Sequence, residues 1–171
     1  MIIGILSDSH KRVDLARKCI EKLCEFKVEL LLHAGDIEEE KTLKLLKKSG
    51  VPYVAVLGNN DYALHHLTDK YNLFHEPHFF KHKNLTIKMM HHPFYLTPDA
   101  NLVVFGHTHR FYSSFNKNTL FINPGEVCAR KEPIFECALV KMEEQACSVT
   151  HLYSKVDEVD WKSETIRYER T

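Results

Sequence analysis

The sequence predicts an α/β fold in which two stacked mixed β-sheets are flanked by helices, a four-layer arrangement with α+β character. Strand-like and helical segments alternate in the first third of the chain, and a series of short strand-like runs follows. The length of 171 residues suits one compact domain with its own core. We therefore expect one domain over residues 1–153, followed by a polar tail, residues 154–171, of unknown role.

Apolar runs and amphipathic segments define the elements of the first third. Strands are predicted at Ile2–Ser7, Glu29–His33 and Val51–Leu57, and helices at Val13–Phe26 and Glu38–Lys48. The second helix begins with acidic residues and ends with lysines, as the helix dipole favours. Because strands and helices alternate, we expect these strands to be parallel neighbours in one sheet.

Beyond this region the helical spacing gives way to short strand-like runs. They are Phe79–Lys81, Leu85–Met90, Leu102–Phe105, Phe111–Phe115, Leu120–Ile122, Ile134–Lys141 and Cys147–Tyr153. Their close spacing predicts hairpins and a second sheet.

The composition excludes several classes of protein. Lysine plus arginine and aspartate plus glutamate are 23 each, so no global field would concentrate nucleic acid or anionic lipid. The five cysteines are an odd number without a CxxC pair, which indicates a reducing, cytoplasmic location. A basic leader and a run of about 20 apolar residues are both lacking, so neither export nor a membrane is expected.

Five short polar motifs follow predicted strands. They are Asp8-Ser9-His10, Gly35-Asp36, Gly58-Asn59-Asn60-Asp61, His91-His92 and Gly106-His107-Thr108-His109. Loops at the carboxyl ends of strands build the binding crevice of α/β sheets, so we expect the motifs to converge at one sheet edge.

The donor types in these motifs predict a metal site. Carboxylates, an amide and imidazoles suit manganese, zinc, iron, cobalt or nickel better than calcium. Residues i and i+2 of an extended chain share a face about 6 to 7 Å apart, so Asp8 and His10 can bind one ion. The same spacing lets His107 and His109 address two ions, with Asp36 as the bridging carboxylate. Each motif alone also suits a turn or a helix cap, but five of them at strand ends favour metal binding.

Together these motifs resemble the calcineurin-like metallophosphoesterase superfamily over about residues 1–153. The Asn-Asn turn and the later Asn123-Pro124-Gly125 resemble its small YfcE-type phosphodiesterases. The resemblance implies two divalent ions, manganese first, with nickel, zinc, iron or cobalt as alternatives. One ion would have the ligands Asp8, His10, Asp36 and His109, and the other Asp36, Asn59, His91 and His107. The family fold and hydrolysis of a small phosphate ester by a metal-bridging hydroxide are implied as well.

Three further residues are candidates for catalysis. Asn60 stands where many larger relatives have a histidine, and asparagine cannot protonate a leaving group. We expect either a preference for diesters with good leaving groups or another donor, for which His92 is the candidate. Asp61 would orient a histidine or cap a turn.

Two other functions remain open at this point. A scaffold resembling the retromer subunit Vps29 would keep the fold and lose active-site groups, whereas a nuclease would need a basic groove beside the metals. The sequence retains the full ligand set and shows no basic cluster. A homo-oligomer is compatible with the sequence.

Overall fold

Two mixed β-sheets stack on each other in the computed structural model of the chain, which describes residues 1–169. The seven-stranded sheet has the order β12-β11-β10-β1-β2-β3-β4, and the five-stranded sheet has the order β5-β6-β7-β9-β8. The first sheet contains β1 (Ile2–Leu6), β2 (Leu30–His33), β3 (Tyr53–Val56), β4 (Leu73–Phe74), β10 (Ile134–Met142), β11 (Ala146–Lys155) and β12 (Lys162–Glu169). The second contains β5 (His78–His82), β6 (Leu85–Met89), β7 (Leu102–Val104), β8 (Phe111–Asn116) and β9 (Thr119–Pro124).

Strand direction follows the sequence pattern. Strands β1 to β4, which alternate with helices, pair in parallel, while β10, β11 and β12 join antiparallel. The second sheet is also mixed, with antiparallel pairs at its two margins and parallel pairs within. The predicted fold of two stacked mixed sheets is confirmed.

Successive side chains of the central strands point to opposite faces of the sheet and so belong to two separate apolar cores. Leu30 and Leu32 of β2 face the five-stranded sheet together with Ile3 and Ile5 of β1. Leu31 points the other way, toward the helices. Burial of both faces explains why β2 appears in the sequence as a continuous apolar run rather than an alternating one.

Two helices cover the outer face of the seven-stranded sheet. They are α1 (Val13–Glu25) and α2 (Glu40–Lys48), and each has one buried apolar stripe, which includes Leu15 and Leu23 in α1 and Leu43 and Leu46 in α2. A 3₁₀ turn at Tyr62–Leu67 and the short β4 were not predicted. Within residues 1–169, neither helix is long and apolar enough to span a membrane.

The segment left without a role in the sequence analysis contains an edge strand. Residues 162–169 form β12, which pairs antiparallel with β11 from Tyr153↔Lys162 to Ala146↔Glu169. Most of its side chains are exposed, so the segment lacks the apolar alternation that would have predicted a strand. Trp161, just before it, packs against Phe135 of β10.

Candidate metal centre

The five predicted motifs converge, but they come from both sheets. Three loops follow β1, β2 and β3 of the seven-stranded sheet, and two follow β6 and β7 of the five-stranded sheet. The expectation of a single sheet edge is therefore wrong. The centre lies where the carboxyl ends of strands in two stacked sheets meet, an arrangement set by packing between the sheets.

The first group of predicted ligands surrounds one small volume. Nε2 of His109 lies 3.2 Å from Oδ1 of Asp8 and 3.5 Å from Nε2 of His10. Nε2 of His10 is 3.7 Å from Oδ2 of Asp36. Ligands about 2.1 Å from a shared ion stand roughly 3.0 to 3.5 Å apart, so these separations are close to those of a coordination shell.

The second group adjoins the first through Asp36. Nε2 of His91 is 3.4 Å from Oδ2 of Asp36 and 3.0 Å from Oδ1 of Asn59. Nδ1 of His107 is 3.1 Å from Oδ1 of Asn59 and 3.2 Å from Nε2 of His91. The structure thus brings all seven predicted donors together, with the same Asp36 oxygen in both groups.

The chemistry of these atoms fits a cation. His91 donates from Nδ1 to the carbonyl of Ala34 at 2.9 Å, so its Nε2 faces Asn59 Oδ1 and Asp36 as a bare acceptor. Oδ1 of Asp8 is buried without a hydrogen-bond partner among the described residues. Buried acceptors that face each other repel unless positive charge lies between them, and a divalent ion would supply it.

Carboxylates behind two of the histidines fix their ring orientation. Nδ1 of His10 donates to Glu38 at 2.5 Å, and Nδ1 of His109 donates to Glu126. Each contact leaves Nε2 directed into the centre, as carboxylate–histidine pairs do in metal sites. Neither glutamate was predicted as part of the centre. Glu38 begins a predicted helix, and Glu126 directly follows Asn123-Pro124-Gly125, to which no ligand or orienting role was attached.

The backbone at the centre is in the left-handed region. Asp8, His10, Asp36, His107 and His109 have φ values from +46° to +66°. The expectation that i and i+2 ligands share a face of extended chain is therefore wrong. In Asp8-Ser9-His10 and in His107-Thr108-His109, the first and third residues are left-handed. The loop therefore turns so that the side chains of both face inward. Each such residue costs of order 1 kcal/mol or more, and strain of this kind concentrates at functional sites.

Close approach to the two aspartates requires glycine at two positions. A Cβ on Gly58 would lie 2.3 Å from Oδ1 of Asp36. A Cβ on Gly106 would lie 2.2 Å from Ser7 Oγ and 2.8 Å from Oδ2 of Asp8. Since neither distance is tolerable, these loops reach the centre only with glycine there.

Asn60 contacts a candidate ligand. Its backbone N–H donates to Oδ1 of Asp36 at 2.9 Å, and its side-chain amide donates to Oδ2 at 2.7 Å. Asn60 therefore holds both oxygens of the shared carboxylate.

Asp61 has a different environment from either predicted one. Its fully buried carboxylate accepts hydrogen bonds from the backbone N–H groups of Ile37 at 2.7 Å, Glu38 at 2.6 Å and Gly58 at 2.7 Å. Within residues 1–169 its side chain has no hydrogen bond to a histidine, and it does not cap the 3₁₀ turn. Asp61 ties the loop after β2 to the loop after β3, and so positions Asp36 relative to Asn59.

His92 lies beside the centre and is held by another glutamate. Its Nδ1 donates to Glu76 at 2.6 Å, and its ring centroid is 4.5 Å from that of His107. Glu76 also accepts the backbone N–H groups of His91 and His92 at 2.6 and 2.8 Å. Glu76 was not predicted, because it precedes β5 and lies far from any motif in the sequence.

Neighbouring groups shift the pKa values of several residues of the centre. In the metal-free protein the contacts of His109 with Asp8, Cys128 and Glu126 raise its pKa to about 11, so an ion would displace the proton on Nε2 when it binds there. Burial opposes ionisation of Asp36, but its contact with the imidazole of His91 and the hydrogen bonds from Asn60 outweigh burial and hold its pKa well below the ordinary value. Burial likewise opposes ionisation of Glu126, whose contact with His109 lowers its pKa to about 2. Both carboxylates are therefore ionised at neutral pH, as cation binding requires.

A cleft beside His10 contains a small cationic cluster that the sequence did not reveal. Its basic lining residues are Lys11, Arg12 and Arg130. Arg12 is bound to Asp14 at 2.9 and 2.8 Å, and Lys11 is 4.0 Å from Glu38. Arg130 has no ion-pair partner within residues 1–169. The cluster joins residues far apart in the chain, so inspection of the sequence could not find it.

Comparison with known proteins gives consistent matches. Residues 1–145 match the family profile described as the calcineurin-like phosphoesterase superfamily domain. The chain is 27% identical over 142 residues to phosphodiesterase MJ0936 of Methanocaldococcus jannaschii, covering 75% of this chain and 85% of the relative. It is 29% identical over 157 residues to the probable metallophosphoesterase YsnB of Bacillus subtilis, covering 87% of this chain and 89% of the relative.

Among solved structures, Vps29 of Chaetomium thermophilum superposes with a TM-score of 0.77 at 15% identity, covering 100% of both chains. At that identity the likeness shows the fold alone.

Proposed function

The chain belongs to the calcineurin-like phosphoesterase superfamily, and we propose that it is a binuclear metal-dependent phosphodiesterase acting on a small phosphate ester. The observation that carries this proposal is the pair of donor groups that share Asp36. Oδ2 of Asp36 lies 3.7 Å from Nε2 of His10 and 3.4 Å from Nε2 of His91, and each histidine belongs to a different group. Two ions on either side of one carboxylate would have the close spacing of about 3.5 to 4 Å seen in binuclear hydrolases.

The donor set defines which residues would hold each ion. Asp8, His10 and His109 would hold one, Asn59, His91 and His107 the other, and Asp36 both. When bound, the two ions would polarise a phosphoryl oxygen and supply a hydroxide between them as the nucleophile. The nitrogen and oxygen donors suit manganese, nickel, zinc, iron or cobalt, and manganese is proposed first on the family resemblance.

The other residues prepare the centre for the reaction. Asn60 holds the two oxygens of Asp36, and Glu38 and Glu126 keep His10 and His109 turned inward. His92 lies next to His107 with its Nδ1 bound to Glu76, so in the imidazolium form, with a proton on each nitrogen, its Nε2 is the candidate donor to the leaving oxygen and the ring is left neutral. Asp61 acts through the backbone as a positioning residue.

We infer that diesters are preferred over monoesters. Two divalent ions, the two aspartates and one hydroxide leave a formal charge of about +1, which matches a diester monoanion better than a monoester dianion. Asn60 adds neither positive charge nor an acidic proton. The similarity to a protein named as a phosphodiesterase supports the same choice.

Two alternative functions have less support. A Vps29-like scaffold shares the fold, but a protein-binding role gives no reason for seven metal-type donors within contact of one another. A nuclease would need a row of cations along a groove, whereas here two of the three cations of the cleft already lie beside carboxylates.

The five cysteines are free thiols, which supports the cytoplasm as the proposed location.

The decisive experiment is hydrolysis before and after metal removal. Protein stripped by chelation should be inactive toward bis(p-nitrophenyl) phosphate, and added manganese or nickel should restore turnover. Activity toward p-nitrophenyl phosphate should be lower. Asp36→Asn should lose activity and bind fewer ions per chain by elemental analysis, whereas Asp69→Asn, at an exposed position, should match the wild type. Metal-independent turnover, or tight metal binding without any ester hydrolysis, would refute the proposal.

A further inference from the structure

An exposed apolar loop lies beside the candidate metal centre. Phe94, Tyr95 and Leu96 are consecutive, and 72%, 55% and 40% of their surfaces are exposed. The other large apolar side chains exposed within residues 1–169 occur singly along the chain. Three adjacent ones form a local apolar surface, the kind that marks a binding site.

A row of aromatic rings connects this loop to the centre. The Phe94 ring stacks on His92 with centroids 4.8 Å apart and an interplanar angle of 11°. His92 in turn lies 4.5 Å from the ring of His107, one of the candidate ligands. Only the ring of His92 therefore lies between this exposed surface and a candidate metal ligand.

The loop is tethered on both sides of its apolar tip. Lys88, only 1% exposed on the outer face of β6, donates to both carboxylate oxygens of Asp99 at 2.9 and 3.1 Å and to Thr97 at 2.8 Å. On the other side, the Phe94 N–H donates to the carbonyl of His92 at 2.8 Å. Because a buried ammonium group needs its anionic partner, this contact resists displacement of the loop. A loop already ordered before binding loses little entropy when a ligand contacts it.

We propose that Phe94–Leu96 binds the aromatic ring of a substrate whose phosphate lies at the metal centre, an inference that rests on the proposed function. The preferred substrates are then aryl or nucleoside phosphodiesters rather than alkyl ones. An aromatic ring can pack against the exposed edge of Phe94 and bury apolar surface against Tyr95 and Leu96. An alkyl ester of the same charge would gain much less from this surface.

Binding of two matched phosphinates tests this inference without a hydrolytic step. Diphenylphosphinate and diethylphosphinate are both monoanions at neutral pH, as a phosphodiester is, and neither contains an ester bond. Isothermal titration calorimetry with manganese-loaded protein gives the ratio of their dissociation constants. We expect the wild type to prefer diphenylphosphinate about fivefold or more, because aromatic stacking contributes on that scale. Phe94→Ala should bring the ratio close to one, and Phe94→Tyr should restore it.

Two further variants make the result specific. Tyr95→Ala should lower the ratio in the same direction, so the outcome does not depend on the folding of one variant. Phe26→Ala, at an exposed aromatic position following α1, should keep the wild-type ratio.

Equal affinities in the wild type, or a preference that survives in Phe94→Ala, would overturn the inference and leave the loop as a surface for a protein partner. Failure of both phosphinates to bind would overturn the inference together with the metal centre. A Phe94-dependent preference without diester hydrolysis would support the inference and count against the proposed function alone.

Discussion

Glu126 binds Nδ1 of His109, while Nε2 of the same imidazole lies 3.2 Å from Oδ1 of Asp8. One ring therefore connects a carboxylate outside the centre to a candidate ligand inside it. The contact fixes both the proton position and the direction of the ring, and Glu38 does the same for His10.

Replacing Glu126 should weaken metal binding without removing a ligand. In Glu126→Gln the neutral amide no longer favours the tautomer that leaves Nε2 bare. We expect the dissociation constant for manganese, measured by calorimetry, to rise about tenfold or more. Glu132→Gln, at an exposed position nearby, is the matched control. An unchanged affinity in Glu126→Gln would show that the contact with His109 does not orient the ring for metal binding.

The loss of His92 should matter most for poor leaving groups. A departing p-nitrophenolate needs little protonation, whereas a phenolate or alkoxide needs a donor. In His92→Gln, kcat/KM should fall about 100-fold for aryl diesters with basic leaving groups and much less for p-nitrophenyl esters. The slope of log kcat/KM against leaving-group pKa measures the difference. An equal reduction for every ester would exclude proton donation by His92, and His66→Gln serves as a surface control.

Asp61→Ala should act mainly by lowering the free energy of unfolding, rather than by a direct effect on the reaction. Three backbone N–H groups lose their acceptor, and buried donors without partners are costly. We expect the metal-free protein to lose about 3 kcal/mol of unfolding free energy in urea titrations. Asp69→Ala should change it little. Full stability combined with abolished turnover would instead place Asp61 in direct contact with the reaction.

His33 should make the protein sensitive to acid. Its side chain is fully buried with Nε2 2.9 Å from Ser9 Oγ, and burial lowers its pKa to about 3 from an ordinary 6.5. Between these values the unfolded chain binds a proton that the folded protein does not, so stability falls as pH decreases from 6.5 toward 3. The loss approaches about 1.4 kcal/mol per pH unit in that window.

The comparison with His33→Gln isolates this contribution. Urea unfolding of the metal-free proteins at pH 7.5, 6 and 5 should show a steeper loss for the wild type, with the difference growing below pH 6.5. Other titrating groups affect both proteins alike. Parallel pH dependences would mean that His33 is protonated in the folded state.

The sequence predicted the candidate metal ligands better than the glutamates that hold the histidines in place. Asp8, Asp36 and the paired histidines could be recognised because each follows an apolar run, and strand ends are local features. Glu76 and Glu126 could not be recognised, since each becomes important only through a histidine distant in the chain. The strand Lys162–Glu169 was missed for another reason, because an exposed edge strand needs no apolar alternation.

The sequence by itself determined the kind of site, because the chemistry of carboxylate, amide and imidazole side chains does not depend on the fold. It also determined their placement after strands, because strand formation follows local apolar patterns. Only the tertiary structure decided that these loops come from two sheets, that Asp8 and His10 have left-handed backbones, and that Phe94 continues the row of rings outward from His107. The meeting of the two sheets and the contact of His92 with His107 arise from packing between segments far apart in the chain, and such packing leaves no local pattern.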